Sequence, residues 1–145
     1  PYFIPNQTVV DVLTQAAITK VDVRLMVPFK SDSALVGAAS KFYYKQLLEA
    51  GVRIFEYKKG FVHAKTVVAD GELSVVGTAN MDIRSFSLNF EIMSIIYGSE
   101  FAAKLEAQYM KDLEECVEVD PKEWFNQSKF KLFIYSVARL MSSFL

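Results

Sequence analysis

Residues 61–80, FVHAKTVVADGELSVVGTAN, bring together side chains suited to acid–base and nucleophilic chemistry. They include the single histidine of the chain, His63, followed two residues later by Lys65. Near neutral pH a histidine can act as a nucleophile or a proton carrier, and a lysine supplies positive charge to an anionic group. Because side chains two residues apart on a strand point to the same side, these two are predicted to emerge together and to bind phosphate.

The polar groups that follow this pair suit the same substrate. Gly77 allows close approach of a backbone, and Thr78 and Asn80 add donors of the kind that hold phosphoryl oxygens. Fixed donors and charge would together stabilise a pentavalent phosphorus centre. Each residue taken alone also fits a structural role, since a lone histidine is commonly buried and satisfied and a lysine at a strand end is commonly solvated.

Composition limits the classes of protein to consider. The 145 residues, 52% of them apolar, are enough for one domain with a hydrophobic core. The formal net charge of −1 gives no bulk basic field, so nucleic acid is not an expected partner. The single cysteine, Cys116, cannot form an intramolecular disulfide and is interpreted as a partly buried helical residue. No apolar run approaches the roughly 18 residues of a membrane span, and the absence of an initial methionine favours a fragment of a longer protein.

Hydrophobic periodicity predicts alternating helices and strands. We expect helices over 8–19, capped by Asn6, and over 33–50, and strands over 21–27 and 52–57. A hairpin of 62–69 and 73–76 follows, then a buried strand over 90–97, a helix over 99–117 capped by Ser99, and a short helix from Asp120. The predicted inward face of the first helix consists of Val9, Val12, Leu13, Ala16 and Ala17. This order indicates the α/β class, with a mixed β-sheet flanked by helices.

The last segment, KFKLFIYSVARLMSSFL, is predicted to be an amphipathic helix over 128–145. Its only charges are Lys129, Lys131 and Arg139. Such a helix can lie on a bilayer surface. It can also pack on its own sheet or on a neighbouring domain, and we favour that alternative.

The spacing His-x-Lys-x4-Asp followed by Gly-Thr-x-Asn resembles the HKD signature of the phospholipase D superfamily at every signature position. The continuation MDIRSFSLNFE, residues 81–91, resembles that of bacterial cardiolipin synthases. Three further segments, VDVRLMVPFKSD, KFYYKQLLEAGVRIFEY and ARLMSSFL, are similar to the C-terminal half of those enzymes. The resemblance covers nearly the whole chain, which is identified as a member of this family.

The resemblance implies half of a phospholipase D-like αβ sandwich, with residues 1–145 forming one domain of a longer enzyme that has two HKD motifs. Catalysis would rest on His63, Lys65 and Asp70, although an Asp-Gly turn also makes Asp70 a mainly structural residue. By resemblance His63 is the general acid and base, while the sequence itself leaves the nucleophilic role open. No metal or other cofactor takes part.

The resemblance also implies substrate-binding roles for Thr78, Asn80 and Glu91. Glu91 lies 28 residues after His63, a separation at which relatives place a glutamate that holds the other ring nitrogen of the histidine. Its alternative is a solvated glutamate at the start of a strand. Asp82 and Arg84 are expected to form a local ion pair or to contact a lipid headgroup.

The implied reaction is phosphatidyl transfer, in which two phosphatidylglycerol molecules become cardiolipin and glycerol through a phosphohistidine. An imidazole bonded to phosphorus cannot also protonate the leaving group, so two histidines are needed. The second would come from an N-terminal HKD half or from a second copy of the chain in a homodimer, at the cytoplasmic face of a bacterial plasma membrane. The alternatives are a homodimeric phosphodiesterase or nuclease of the same superfamily and a non-catalytic interaction module. The acceptor alcohol is not fixed by the sequence.

Overall fold

The computed structural model describes residues 1–141, which form three small β-sheets with helices packed around them. The elements in chain order are β1 (Phe3–Ile4), α1 (Gln7–Ile18), β2 (Arg24–Pro28), α2 (Ala34–Phe42), α3 (Tyr44–Ala50), β3 (Arg53–Tyr57), β4 (Thr66–Ala69), β5 (Leu73–Gly77), β6 (Met81–Asp82), α4 (Ile83–Ser87), β7 (Met93–Tyr97), α5 (Ser99–Leu113), β8 (Cys116–Glu118), α6 (Pro121–Phe125) and α7 (Lys129–Met141). This arrangement confirms the predicted class of mixed sheets flanked by helices.

The sheet of β2, β3 and β8 is the one that the helices cover. β2 and β3 run parallel and are connected through α2 and α3, while β8 returns antiparallel to β3. Ile54, the second residue of β3, is fully buried. A parallel pair requires a crossover connection, which explains why two helices separate these strands.

The sheet of β4, β5 and β7 is an antiparallel meander that carries the predicted hairpin. Asp70 and Gly71 both have positive φ, 55° and 67°, and the amide of Glu72 donates to the carbonyl oxygen of Ala69. The connection has three residues, 70–72, and a turn whose two central residues both have positive φ matches the right-handed twist of the strands. A third sheet of two short strands, β1 and β6, pairs Phe3 with Met81.

The core lies between the β2–β3–β8 sheet and helices α1, α2, α3, α6 and α7. Aromatic rings form its centre: the Tyr44 and Trp124 rings are 4.9 Å apart, and Trp124 stacks on Tyr135 at 5.8 Å. The fully or nearly fully buried side chains of this core include Val10, Ala39, Tyr44, Leu47, Val52 and Ile54. Burial of these side chains is the main source of stability for this part of the chain.

Two predicted helix boundaries differ from the structure. The helix predicted over 33–50 is interrupted at Tyr43, where the amide donates to the carbonyl oxygen of Ser40 in a tighter turn. This turn accompanies burial of the Tyr43 ring against Phe3, at 6.1 Å between ring centroids. The helix predicted over 99–117 ends at Leu113, and its N-cap is Gly98 rather than Ser99.

Cys116 therefore lies on strand β8 and not on a helix. It is half-buried, as expected, and it pairs with Tyr57 of β3. Short-range periodicity continues the helix to residue 117, but the open edge of β3 offers backbone hydrogen bonds that only an extended chain can accept. Tertiary pairing overrides local propensity at this point.

Two predicted burial patterns are also wrong. The segment 90–97 was expected to be buried, but β7 is the edge strand of its sheet, and Ile95 and Tyr97 are 59% and 81% exposed. In α1 the prediction is confirmed for Ala17, which is buried, and for Leu13, which packs against the core, but Val12 is 63% exposed and the buried stripe also includes Val10 and Thr14. Both elements carry apolar side chains that no other part of the described chain packs against. Apolar character alone therefore did not predict burial.

We expect Ile54→Ala to lower the free energy of unfolding by about 2–5 kcal/mol, because it leaves a cavity in a fully buried position. Urea denaturation measures the change. The matched control is Ile18→Ala at a residue that is 64% exposed, where a change within about 0.5 kcal/mol is expected. Equal effects at the two positions would contradict the assignment of the core.

Candidate active site

His63 and Lys65 meet, as their spacing predicted. The ammonium of Lys65 lies 2.9 Å from Nδ1 and 3.3 Å from Nε2 of His63, and it also donates to the His63 carbonyl oxygen at 2.9 Å. An ammonium has no lone pair, so Nδ1 accepts a hydrogen bond while Lys65 is charged. The imidazole is exposed and Lys65 is half-buried, so both groups can be reached by a substrate.

This pair precedes β4 instead of lying within the strand as predicted. The ladder between β4 and β5 ends with Thr66 opposite Val76, and one further bond joins the Gly77 amide to the Lys65 carbonyl oxygen at 3.2 Å. After Gly77, where β5 ends, the polypeptide continues to β6 and no longer pairs with the segment that precedes β4. Residues 61–64 therefore have no strand beside them in this hairpin, and His63 stands at its open end.

Gly77 permits the closest backbone approach in the site. A Cβ at this position would lie 2.2 Å from the carbonyl oxygen of Ile92 and 2.4 Å from Sδ of Met93. Only glycine fits such contacts without movement of a backbone. Through Gly77 the segments that carry Lys65 and Ile92 are held on either side of the end of β5.

Thr78 joins the segment that contains Ile92 to the end of β5 by hydrogen bonds. Its hydroxyl accepts from the Ile92 amide at 3.0 Å, and its own amide donates to the Ile92 carbonyl oxygen at 3.0 Å. The two bonds fix the chain that precedes β7, including Glu91. Thr78 was predicted to bind substrate, and the structure places its hydroxyl in this backbone clamp.

The negative charge of Glu91 affects the pKa of Lys65. A hydrogen bond from Thr78 lowers the pKa of Glu91, with further lowering by Asn89, Ser85 and the charge of Lys65. Burial lowers the pKa of Lys65, and the carboxylates of Glu91 and Asp82 act in the opposite direction. The expected hydrogen bond between Glu91 and His63 is not formed in the described part of the chain, where the side chain of Asn89 donates to the Glu91 carboxylate at 3.3 Å.

Two further predicted site residues, Asp70 and Asn80, lie at the hairpin turn and beyond the end of β5. Asp70 is exposed at the hairpin turn, at the opposite end of β4 from Lys65, so about 16 Å of extended chain separates them. Its left-handed backbone suits the structural role considered above. Asn80 is half-buried, and its backbone N–H donates to the Ser85 hydroxyl at 3.1 Å. The oxygen of its side-chain amide is buried and has no hydrogen-bond partner in the described part of the chain.

The sequence did not point to an aromatic series beside the histidine. The ring of Phe61 lies 5.8 Å from that of His63 and 6.2 Å from that of Tyr2. Tyr2 in turn donates to Asp32 at 2.5 Å, which lowers the pKa of Asp32. No local pattern links these positions, because the contact depends on the placement of β1.

Asp82 was also missed as a neighbour of Lys65. Its side chain caps α4 by accepting from the Ser85 amide at 2.7 Å. The Asp-x-x-Ser spacing is an N-cap signal that sequence inspection could have used. Within residues 1–141 no group of three or more His, Cys, Asp or Glu side chains is placed to hold a metal ion.

Comparison with solved structures assigns the fold. The chain superposes on a phospholipase D family member, Nuc from Salmonella typhimurium, with a TM-score of 0.70 at 15% identity, over 81% of this chain and 77% of that one. The fold is thus that of the phospholipase D family.

Sequence comparison identifies the branch. Residues 1–113 match the family model of the cardiolipin synthase PLD-like domain. Over the full length of the chain, identity is 44% to a cardiolipin synthase of Geobacillus sp. (strain WCH70), 43% to one of Listeria monocytogenes and 42% to cardiolipin synthase 2 of Bacillus anthracis. The chain therefore belongs to the family of PLD-like domains of cardiolipin synthase, which confirms the resemblance noted above. It spans 28–30% of the length of these curated relatives.

We expect Gly77→Ala to lower the free energy of unfolding by about 1–3 kcal/mol, because the new Cβ forces the Ile92 carbonyl away from β5. Urea denaturation measures stability, and hydrogen exchange at the Thr78 amide measures loosening of the clamp. The control is Gly60→Ala, where a Cβ meets no atom within 4 Å. Unchanged stability and exchange in Gly77→Ala would contradict the described packing.

We expect Glu91→Gln to lower the pKa of Lys65 further, because it removes a negative charge that favours the ammonium. An NMR titration of the Lys65 side chain measures the pKa. Asp70→Asn is the control, since Asp70 lies at the far end of β4 and should leave that pKa unchanged. A Lys65 pKa that rises or stays constant in Glu91→Gln would show that the two groups are not coupled.

Proposed function

We propose that this chain supplies one of two half-sites for phosphatidyl transfer, in which two phosphatidylglycerol molecules are converted to cardiolipin and glycerol. The observation that carries the proposal is the contact between the Lys65 ammonium and the imidazole of His63, exposed at the end of a hairpin. A cation beside a nucleophilic or proton-transferring ring suits a phosphodiester substrate. Membership in the cardiolipin synthase family supports the same substrate class.

The proposed reaction is a double displacement at phosphorus. A histidine of the other half-site attacks the donor phosphorus and forms an N–P bond, while the bond from phosphorus to the glycerol oxygen breaks and His63 protonates the departing glycerol. His63 then takes the proton of a hydroxyl group on a second phosphatidylglycerol, whose oxygen attacks the phosphohistidine. The N–P bond breaks, cardiolipin forms and the first histidine is released.

Lys65 has a separate task in this scheme. Its ammonium turns from Nδ1 of His63 to a phosphoryl oxygen, where its charge offsets the negative charge of the phosphodiester and of the transition state. Glu91 and Asp82 limit the fall in the pKa of Lys65 that burial causes, and so favour the charged form that this role requires. We assign both carboxylates to positioning and charge balance.

The proposal requires a second half-site, because the chain has one histidine. We propose that an N-terminal HKD half of a longer enzyme supplies it, at the cytoplasmic face of a bacterial membrane. The lengths of the relatives support this arrangement, since the chain spans less than a third of each compared relative.

The experiment is a graft of this chain in place of the matching segment of the Geobacillus enzyme, assayed for cardiolipin formation from phosphatidylglycerol vesicles. His63→Ala should lower the rate by about a thousandfold, since general acid–base catalysis contributes on the order of 10²–10⁴. Lys65→Ala should lower it by about a hundredfold, through loss of the charge near phosphorus.

The control is Lys45→Ala, at an exposed lysine of α3 that pairs with Glu49, which should leave the rate unchanged. Circular dichroism confirms folding of each graft. Undiminished transfer in His63→Ala would contradict the proposed role. Cleavage of DNA by the chain alone, without turnover of lipid, would instead favour the homodimeric nuclease.

A further inference from the structure

Helix α7 uses one face to pack on the rest of the chain. Ser128 caps it through the Lys131 amide, and Ala138 is buried where α7 packs on α2. Tyr135 stacks on Trp124, and the guanidinium of Arg139 lies 5.6 Å from the centre of the Tyr43 ring. These contacts fix which face of α7 points outward.

The outward face is apolar along its whole length. Phe130, Phe133 and Leu140 are 70%, 64% and 71% exposed. At 3.6 residues per turn, the six exposed apolar side chains fall within a sector of about 120°, opposite the buried face. They are Phe130, Phe133, Ile134, Val137, Leu140 and Met141, and we call them the α7 stripe. A helix of this kind, apolar on its packed and its outward faces, normally has a partner on both.

The charges of α7 indicate the chemistry of the missing partner. Lys129 and Lys131 are exposed and flank the α7 stripe on its two sides. α7 contains no acidic residue, so all 17 acidic residues of the chain lie elsewhere. A second copy of α7 would bring more cations and no carboxylate to pair with them, which disfavours self-association through this face.

We propose that α7 docks on an anionic phospholipid surface, with the α7 stripe in the boundary between headgroups and acyl chains and with Lys129 and Lys131 at the phosphates. Bulky apolar side chains bordered by lysines are the pattern of helices that lie in a membrane interface. Lysine stems can follow the apolar stripe while their ammonium groups reach the headgroups. This contact goes beyond the proposed function, because α7 carries no residue of the site. The α7 stripe runs along the helix from Phe130 to Met141, so the docking is parallel to the surface. Among residues 1–141 no helix is long and apolar enough to span a bilayer.

The test is co-sedimentation of the chain with vesicles of phosphatidylglycerol and with vesicles of phosphatidylcholine. The chain should bind phosphatidylglycerol vesicles more tightly. The triple variant Phe130→Ser, Phe133→Ser, Leu140→Ser should lose about a thousandfold in partitioning, because each of the three apolar side chains contributes on the order of tenfold when it is buried from water. All three residues are exposed, so circular dichroism should show an intact fold.

A second variant isolates the charges. Lys129→Gln with Lys131→Gln should weaken binding to phosphatidylglycerol vesicles by about fivefold per residue, and should leave binding to phosphatidylcholine vesicles unchanged. The matched control is Ile95→Ser with Tyr97→Ser, which removes equally exposed apolar side chains from β7. This control should bind vesicles like the original chain.

Three results would overturn the proposal. They are absence of binding to phosphatidylglycerol vesicles, unchanged binding of the triple variant, and a dimer in solution that the triple variant dissociates while vesicle binding persists. The last result would assign the α7 stripe to contact between copies. Vesicle binding requires no turnover, so loss of transfer in the grafted His63→Ala enzyme and loss of vesicle binding are independent outcomes.

Discussion

The geometry of the site depends on one close backbone contact, between Gly77 and the Ile92–Met93 peptide. With no Cβ at residue 77, the end of β5 lies between the segment of Lys65 and that of Glu91, each joined to it by backbone hydrogen bonds. The ammonium of Lys65 thereby contacts the imidazole of His63, and the negative charge of Glu91 raises its pKa against the effect of burial. A larger residue would separate these groups even if every catalytic side chain were retained.

The same arrangement leaves His63 exposed to solvent and leaves one edge strand of the β4–β5–β7 sheet uncovered. His63 is exposed at the end of a hairpin, and β7 is an edge strand with apolar side chains in water. A catalytic group for phosphoryl chemistry functions best where water is excluded. An exposed histidine and an uncovered apolar edge strand are therefore what one half of a composite site should present, and the proposed second half would both add a histidine and exclude solvent.

The sequence predicted the fold class and the hairpin turn at Asp70, because hydrophobic periodicity and turn chemistry are local rules. His63 and Lys65 also meet as predicted, but they precede β4, so strand alternation does not account for their contact. It did not predict that β7 is exposed or that Cys116 lies on a strand, since both depend on which distant segment lies alongside. Glu91 illustrates the limit most clearly. The family resemblance suggested a contact with His63, but the Glu91 carboxylate instead accepts a hydrogen bond from Asn89, in a segment that Thr78 holds to the end of β5.

The most direct test of the account is an NMR titration of the chain with glycerol phosphate that follows the ring of His63 and the side chain of Lys65 together. If the two groups form one anion site, both sets of resonances move with a single dissociation constant, and Lys65→Met abolishes the response of the His63 ring. Movement of the His63 resonances with Lys65 unaffected, or an undiminished response in Lys65→Met, would contradict a shared phosphate site.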